Sequence, residues 1–325
     1  MSDKVNRQRN LVIKNTLVLY VRMFITMGVS LYTSRLVLNA LGVVDFGIYN
    51  VVGGVVGMFG FLNVAMASST QRFLNYELGK GNISQLNKVF NASVTIHAII
   101  AIFILLLAET IGLWFLNNRL EIPDDKINAA NWVFQFAVLS SMISLVQVPL
   151  LATIIAYERM KVYAYISIVE AILKLLVALI LTWVLWEKLK TYAILMCSVV
   201  FIIFSVYSIY CNRKISICKF YLVKDMTIYK ELTAFTGWSI LGGIANILST
   251  QGQNILLNIF GGPIVNAARG IAVQVTHALY SFISSIQTSV NPQIVKSYAS
   301  KDFVYFQELI FVSSKISFFL FLQFT

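Results

Sequence analysis

Several ionisable side chains interrupt the apolar runs of this 325-residue sequence, and five of them are its main candidates for chemistry: Arg22, Arg35, Glu170, Lys174 and Arg269. A charged group inside a long apolar run is costly in lipid, so it usually faces a water-filled cavity or an opposite charge. Three of the five are arginines, whose planar guanidinium groups match phosphate oxygens through two hydrogen bonds. The pattern therefore predicts recognition of an anionic group.

Arg22 is the strongest of these candidates. It lies about eight residues inside a predicted helix, which at about 1.5 Å per residue is about 12 Å of depth. The same helix carries Arg35 and contains no acid between Lys14 and Leu41. A cavity lined by this helix is expected to be positive and to favour an anionic substrate, for which a diphosphate is well suited.

The other four candidates have structural alternatives. Arg35 and Arg269 lie within a few turns of a predicted helix end, from which their side chains can reach the interface. Glu170 and Lys174 are four residues apart, so they share one helix face and can neutralise each other. Both interpretations stay open for each of these residues.

The composition indicates a membrane protein. Hydrophobic residues make up 58% of the chain and charged residues only 12%, against about 25% charged in a typical soluble protein. The net charge is +11. Its basic residues lie in short loops between apolar runs, as membrane topology requires, which makes a nucleic-acid partner a poor interpretation.

The apolar runs predict an all-α polytopic protein of about nine transmembrane helices, each about 20 residues or longer. The predicted spans are 13–40, 46–67, 91–115, 131–156, 162–185, 192–211, 233–259, 264–289 and 309–325. Sixteen lysines and arginines fall on the side of the N-terminus and four on the opposite side. The positive-inside rule therefore predicts a cytoplasmic N-terminus.

A weak internal repeat suggests two lobes. RLVLNALG, from Arg35 to Gly42, resembles NILLNIFG, from Asn254 to Gly261, at a spacing of 219 residues. Six predicted helices separate the copies, which predicts parallel lobes related by an axis along the membrane normal. We expect a six-helix N-terminal lobe at 1–218. At 219–325 we expect the first part of a C-terminal lobe, with the chain truncated within the ninth predicted helix.

Catalytic motifs are lacking in the sequence. It contains no P-loop lysine motif, HExxH, GxSxG or paired-cysteine pattern, so no enzyme activity, metal or cofactor is predicted. The glycine cluster of Gly53, Gly54, Gly57 and Gly60 predicts a close helix-packing face, with a hinge as the alternative.

One hairpin carries a family resemblance. The stretch from Ser34 to Asn82, with its DFGIY and QRFLNYELGKG elements, resembles the first hairpin of bacterial polysaccharide flippases of the multidrug/oligosaccharidyl-lipid/polysaccharide (MOP) superfamily. NILLNIFGG and NPQIVKSYA are similar to the start of the second lobe in that family. The resemblance implies an O-antigen-type flippase of the bacterial inner membrane. It would move undecaprenyl-diphosphate-linked oligosaccharide by alternating access, with H⁺ or Na⁺ as a possible coupling ion.

Other functions remain open from the sequence alone. The first is a cation-coupled exporter of drugs or small molecules from the same superfamily, which commonly needs an acid within the membrane. The second is a membrane glycan polymerase or ligase, for which the predicted outer loops are short. The third is an inactive truncated remnant.

Overall fold

The structure of the chain, a computed structural model, describes residues 2–57, 60–120 and 122–324. Within these ranges its regular elements are all helical, which confirms the predicted all-α fold class. The α-helices are α1 Ser2–Gly57, α2 Gly60–Lys80, α3 Ile83–Leu107, α4 Leu113–Arg119, α5 Ile127–Ala156, α6 Met160–Trp183, α7 Lys188–Lys214, α8 Met226–Ala299 and α9 Phe303–Phe324.

Five described helical segments are long and apolar enough to cross a membrane. A helix satisfies its own backbone hydrogen bonds, which lipid cannot do, so apolar sequence of this length folds as a helix in a bilayer. The segments are Leu11–Gly57, Ile83–Arg119, Asp124–Ala156, Met160–Trp183 and Lys188–Lys214.

Two predicted helix junctions differ in the structure: the first is a kink and the second is continuous helix. The predicted helices 13–40 and 46–67 meet within α1, where only Gly42 departs from helical geometry, with φ 79° and ψ 168°. The predicted helices 233–259 and 264–289 both lie within α8, Met226–Ala299. The kink at Gly42 agrees with the predicted boundary between the first two spans, whereas α8 continues as one helix through the second predicted junction.

Gly42 gives the first testable prediction. Its backbone lies in a region that is essentially restricted to glycine. Gly42→Ala is therefore expected to destabilise the purified protein by about 1–3 kcal/mol, measured by thermal unfolding in detergent. Gly47→Ala is the matched control, because Gly47 lies in the same helix without a positive φ and a Cβ there meets nothing within 4 Å. Equal stability of the two variants would contradict the prediction.

The largest buried cluster lies mostly within the predicted first lobe and extends to Ile228 and Leu232 at the start of α8. Phe90, Phe134, Leu116 and Ile154 are among its fully buried side chains. A smaller cluster, centred on Ile286, Val290, Tyr305 and Leu309, joins α8 to α9 and packs against Val12 and Tyr20 of α1. Helix α1 therefore lies at the seam between the two parts of the chain.

The repeat itself stays a prediction, as does the division into 1–218 and 219–325. Most side chains of the second motif copy, Asn254 to Gly261, lie outside those that the structure describes. We use the names first lobe for 1–218 and second lobe for 219–325 below.

Candidate functional site

A cavity of about 650 Å³ lies between α1, α6 and α8, at the seam of the two lobes. Sites for drug-sized ligands have volumes of about 300–1,000 Å³. Hydroxyl groups from all three helices face it, together with three charged side chains. The lining residues are Arg22, Met23, Thr26, Met27, Val29, Ser30, Thr33, Ser34, Ser167, Glu170, Ala171, Lys174, Tyr280, Ser281, Ser284 and Ser285.

Arg22 has donors to spare for a ligand. Its guanidinium carbon lies 4.5 Å from the centroid of the Tyr163 ring, a cation–π contact that fixes the side chain from α6. Its Nε is buried without a hydrogen-bond partner among the described residues. Arg22 is also absent from the ion pairs found in the described part of the chain. An anion in the cavity would satisfy this group.

Glu170 and Lys174 form an ion pair on one face of α6. Lys174 Nζ lies 2.6 Å from Glu170 Oε1, and both side chains are about one-third exposed. This i,i+4 ion pair is the mutual neutralisation that the sequence spacing predicted as the alternative to a role in substrate binding. Because the pair cancels its own charge, the described lining of the cavity keeps one net positive charge, on Arg22.

The other two arginine candidates lie elsewhere. Arg35 is exposed and does not line the cavity. Arg269 is half-buried in α8, where its Nη2 donates to Gln253 Oε1 at 2.5 Å, and it is also outside the cavity lining. The structure therefore brings together Arg22, Glu170 and Lys174 and separates them from Arg35 and Arg269.

A second cavity, of about 300 Å³, lies within the first lobe between α1, α2, α5 and α7. Lys174 lines both cavities. Asn63 faces the second cavity, and its Oδ1 is buried without a described partner. The first lobe thus offers an unused acceptor in one cavity and an unused donor, on Arg22, in the other.

The glycine cluster has a different role from the predicted one. Within the described part of the chain, a Cβ built on Gly53, Gly54, Gly57 or Gly60 would meet no atom within 4 Å, so these glycines do not bring two described helices into close contact. The packing prediction was wrong, because spacing alone does not tell whether a small-residue face meets a neighbour. Gly53, Gly57 and Gly60 instead line the second cavity, where they leave room.

One stretch of the chain is similar to a known domain family. Residues 19–180 match the MatE family model, a span that holds Arg22, Glu170 and Lys174. The match covers just under half of the chain. Together with the long apolar helices, it favours a membrane-embedded transporter of the MATE/MOP type as the class of protein that we propose. No curated protein sequence matches the chain.

Solved structures support the same fold. One, described as the outward-facing conformation of a multidrug resistance MATE family transporter of the MOP superfamily, matches with a TM-score of 0.84 at 12% identity and covers 97% of this chain and 70% of its own. A MOP superfamily transporter from Pyrococcus furiosus matches with a TM-score of 0.78 at 14% identity, over 95% and 70%. A mutant of the Vibrio cholerae MATE transporter VcmN gives 0.74 at 16% identity, over 96% and 70%.

A polar network that the sequence did not reveal ties the first lobe to the second lobe. Glu158, in the turn between α5 and α6, accepts from Lys296 Nζ at 2.6 Å and from Gln293 Nε2 at 2.9 Å. The Tyr305 hydroxyl donates to Gln293 Oε1. Lys296 and Gln293 are more than 130 residues from Glu158 in sequence, a separation that no local pattern bridges.

Gly79 allows α2 and α8 to approach closely at the same contact between the lobes. A Cβ on Gly79 would lie 2.5 Å from the Lys296 carbonyl oxygen and 2.7 Å from Ala299 Cβ. Only glycine therefore lets the end of α2 pack directly on α8. At this end of the bundle, where α2 and α8 end and the α5–α6 turn lies, the two lobes are in direct contact.

Proposed function

We propose that the protein exports small amphipathic molecules that carry an anionic group, by alternating access of its two lobes around the cavity between α1, α6 and α8. The observation that carries this proposal is Arg22, a cavity cation outside the described ion pairs. In a cavity of low dielectric, a fixed positive charge favours an anion and disfavours an organic cation.

The cavity volume supports a small substrate. About 650 Å³ suits a drug-sized molecule, whereas a whole lipid-linked oligosaccharide needs more room. The MatE match and the multidrug MATE transporter among the similar structures also lie nearer to an exporter of small molecules than to the flippase that the sequence resemblance implied.

Pocket charge is a property that varies within this fold. For the Pyrococcus furiosus transporter, reverse polarity of the binding pocket is described as suggesting a different function. By the same reasoning, a multidrug-type fold with a positive cavity can serve a substrate class other than organic cations. This supports the anionic preference proposed here.

A flippase of undecaprenyl-diphosphate-linked oligosaccharide is the second candidate. Arg22 suits a diphosphate, and an apolar groove of about 320 Å³ continues along the same α1–α8 seam beside Tyr20 and Ile286. Such a groove would hold part of a lipid chain while the head group occupied the cavity. The observations that favour this candidate are thus charge and a neighbouring apolar surface.

The proposed setting is the bacterial inner membrane with a cytoplasmic N-terminus, supported by the distribution of lysine and arginine. Among the described lining residues of the cavity, Glu170 supplies the carboxylate, so it is the proposed contact for a coupling H⁺ or Na⁺. Its ion pair with Lys174 would have to open for either ion to bind there.

Deleting the gene separates the two candidates. If the protein exports small anions, the deletion strain should accumulate an anionic fluorescent amphiphile several-fold while its surface glycan stays normal. Loss of surface glycan, with lipid-linked glycan held in the inner leaflet, would instead favour the flippase. If neither quantity changes and plasmid-borne expression does not lower dye accumulation, both candidates fail.

A further inference from the structure

The segment that joins the lobes has a well-defined exposed face. Helix α7 ends at Lys214 and α8 begins at Met226, and the connection between them has no regular structure apart from a short 3₁₀ turn, Ser216–Cys218. Ile215, Ile217, Cys218 and Val223 are buried against the bundle. Phe220, Leu222 and Met226 point outward, 63%, 71% and 77% exposed.

Two contacts with α3 hold this linker in place. The Tyr221 backbone N–H donates to Asn91 Oδ1 at 2.9 Å, and the buried Asn91 is itself fixed by its donation to the Asn87 carbonyl. Lys88 forms an ion pair with Asp225 at 3.2 Å. This hydrogen bond from Lys88 lowers the pKa of Asp225, which keeps the carboxylate ionised. The outward direction of Phe220, Leu222 and Met226 is therefore set by the fold.

Basic side chains surround these apolar ones. Between residues 213 and 230 the chain has one acid, Asp225, which is paired, and five exposed lysines and arginines: Arg213, Lys214, Lys219, Lys224 and Lys230. Topology alone explains an excess of lysine at this side of a membrane. It does not explain why three large apolar side chains are held outward among those lysines. Basic residues interleaved with exposed apolar ones are typical of segments that lie in an anionic lipid interface.

We propose that residues 213–230 form a binding surface for anionic lipid head groups, with Phe220, Leu222 and Met226 inserted into the interface. Charge complementarity favours a lipid surface over a soluble ligand as the partner, because the lysines are spread along the linker and line none of the cavities described above. The proposal is independent of the transported substrate.

The position of this surface gives it a consequence for transport. The linker is the covalent connection between the two lobes, and it must follow them when they move. Anionic lipid bound here would hold the linker at the interface and so change how readily the lobes move. We therefore expect the transport rate to depend on the anionic lipid content of the membrane.

The test uses the full chain in vesicles, with a fluorophore attached at Leu222→Cys; the three native cysteines are buried. The unsubstituted chain, taken through the same labelling, gives the background. Vesicles contain phosphatidylcholine alone or mixed with phosphatidylglycerol. With phosphatidylglycerol we expect stronger quenching by a lipid-attached spin label and weaker quenching by aqueous iodide, and both changes should be reduced by high salt.

Charge removal completes the experiment. Lys219→Gln with Lys224→Gln should weaken the phosphatidylglycerol dependence by about fivefold per charge. Lys161→Gln with Lys301→Gln, two exposed lysines at the same end of the bundle but outside the linker, should leave it unchanged. Equal quenching in both kinds of vesicle would overturn the proposal, as would an equal effect of the two lysine pairs.

Discussion

Arg22→Ala is expected to slow transport of an anionic substrate by about 10–150-fold. The variant removes hydrogen bonds from a charged donor, which are worth about 1.5–3 kcal/mol in total. Arg22 carries the net charge of the described cavity lining, since Glu170 and Lys174 neutralise each other. The measurement is the initial rate of uptake of an anionic dye into vesicles that contain the purified variant.

Three further variants make the Arg22 result specific. Arg22→Lys should keep much of the rate, because it keeps the charge but loses the planar fork. Tyr163→Leu removes the ring beneath the guanidinium and should give an intermediate loss. Arg35→Ala is the matched control, an exposed arginine of the same helix outside the cavity, and should transport normally. If Arg22→Ala and Arg35→Ala have the same rate, Arg22 is not a substrate contact.

Gly79→Ala is expected to separate the two lobes at the end where they now touch. Its new Cβ would lie 2.5 Å from the Lys296 carbonyl oxygen, a backbone atom that cannot rotate away. Overpacking of this kind costs about 1–3 kcal/mol, so the population of the closed contact should fall about 5–150-fold. Spin labels can be attached at Ser84→Cys and Lys301→Cys, which are both exposed sites at this end. In Gly79→Ala, double electron–electron resonance should measure a longer distance between the two labels.

Gly54→Ala is the matched control for this prediction, because a Cβ at Gly54 meets no atom within 4 Å. Glu158→Gln should act in the same direction as Gly79→Ala. It leaves Lys296, whose side chain is only 24% exposed, without its carboxylate. An unchanged distance distribution in both Gly79→Ala and Glu158→Gln would show that this contact does not hold the lobes together.

Features that depend on local sequence pattern, such as helices and pairs of residues four apart, were predictable from the sequence. Apolar runs predicted the helices, because a chain in lipid must satisfy its backbone within each segment. The four-residue spacing of Glu170 and Lys174 predicted their possible pairing, which the structure contains at 2.6 Å. Depth along helix α1 favoured Arg22 over Arg35, and the cavity lining includes only the first. The assignment of these residues to substrate binding is still a prediction.

Contacts between distant parts of the chain were not predictable in this way. The Glu158–Lys296 pair joins residues 138 positions apart, and helical periodicity says nothing about which remote helix a turn will meet. The glycines also show that sequence spacing does not predict which residues pack closely. The spaced cluster around Gly53 suggested close packing but lines a cavity, while Gly79, which was noted only as part of the QRFLNYELGKG element, packs tightly on α8.

The anionic preference of the cavity is the central claim, and one transport measurement tests it most directly. Vesicles that contain the native chain are given two fluorescent amphiphiles of matched size, one with a carboxylate or phosphate and one with a quaternary ammonium group. We predict that the anion is transported at least about tenfold faster, corresponding to about 1.4 kcal/mol of discrimination by Arg22. Faster transport of the cation, or equal rates for the two, would contradict the claim.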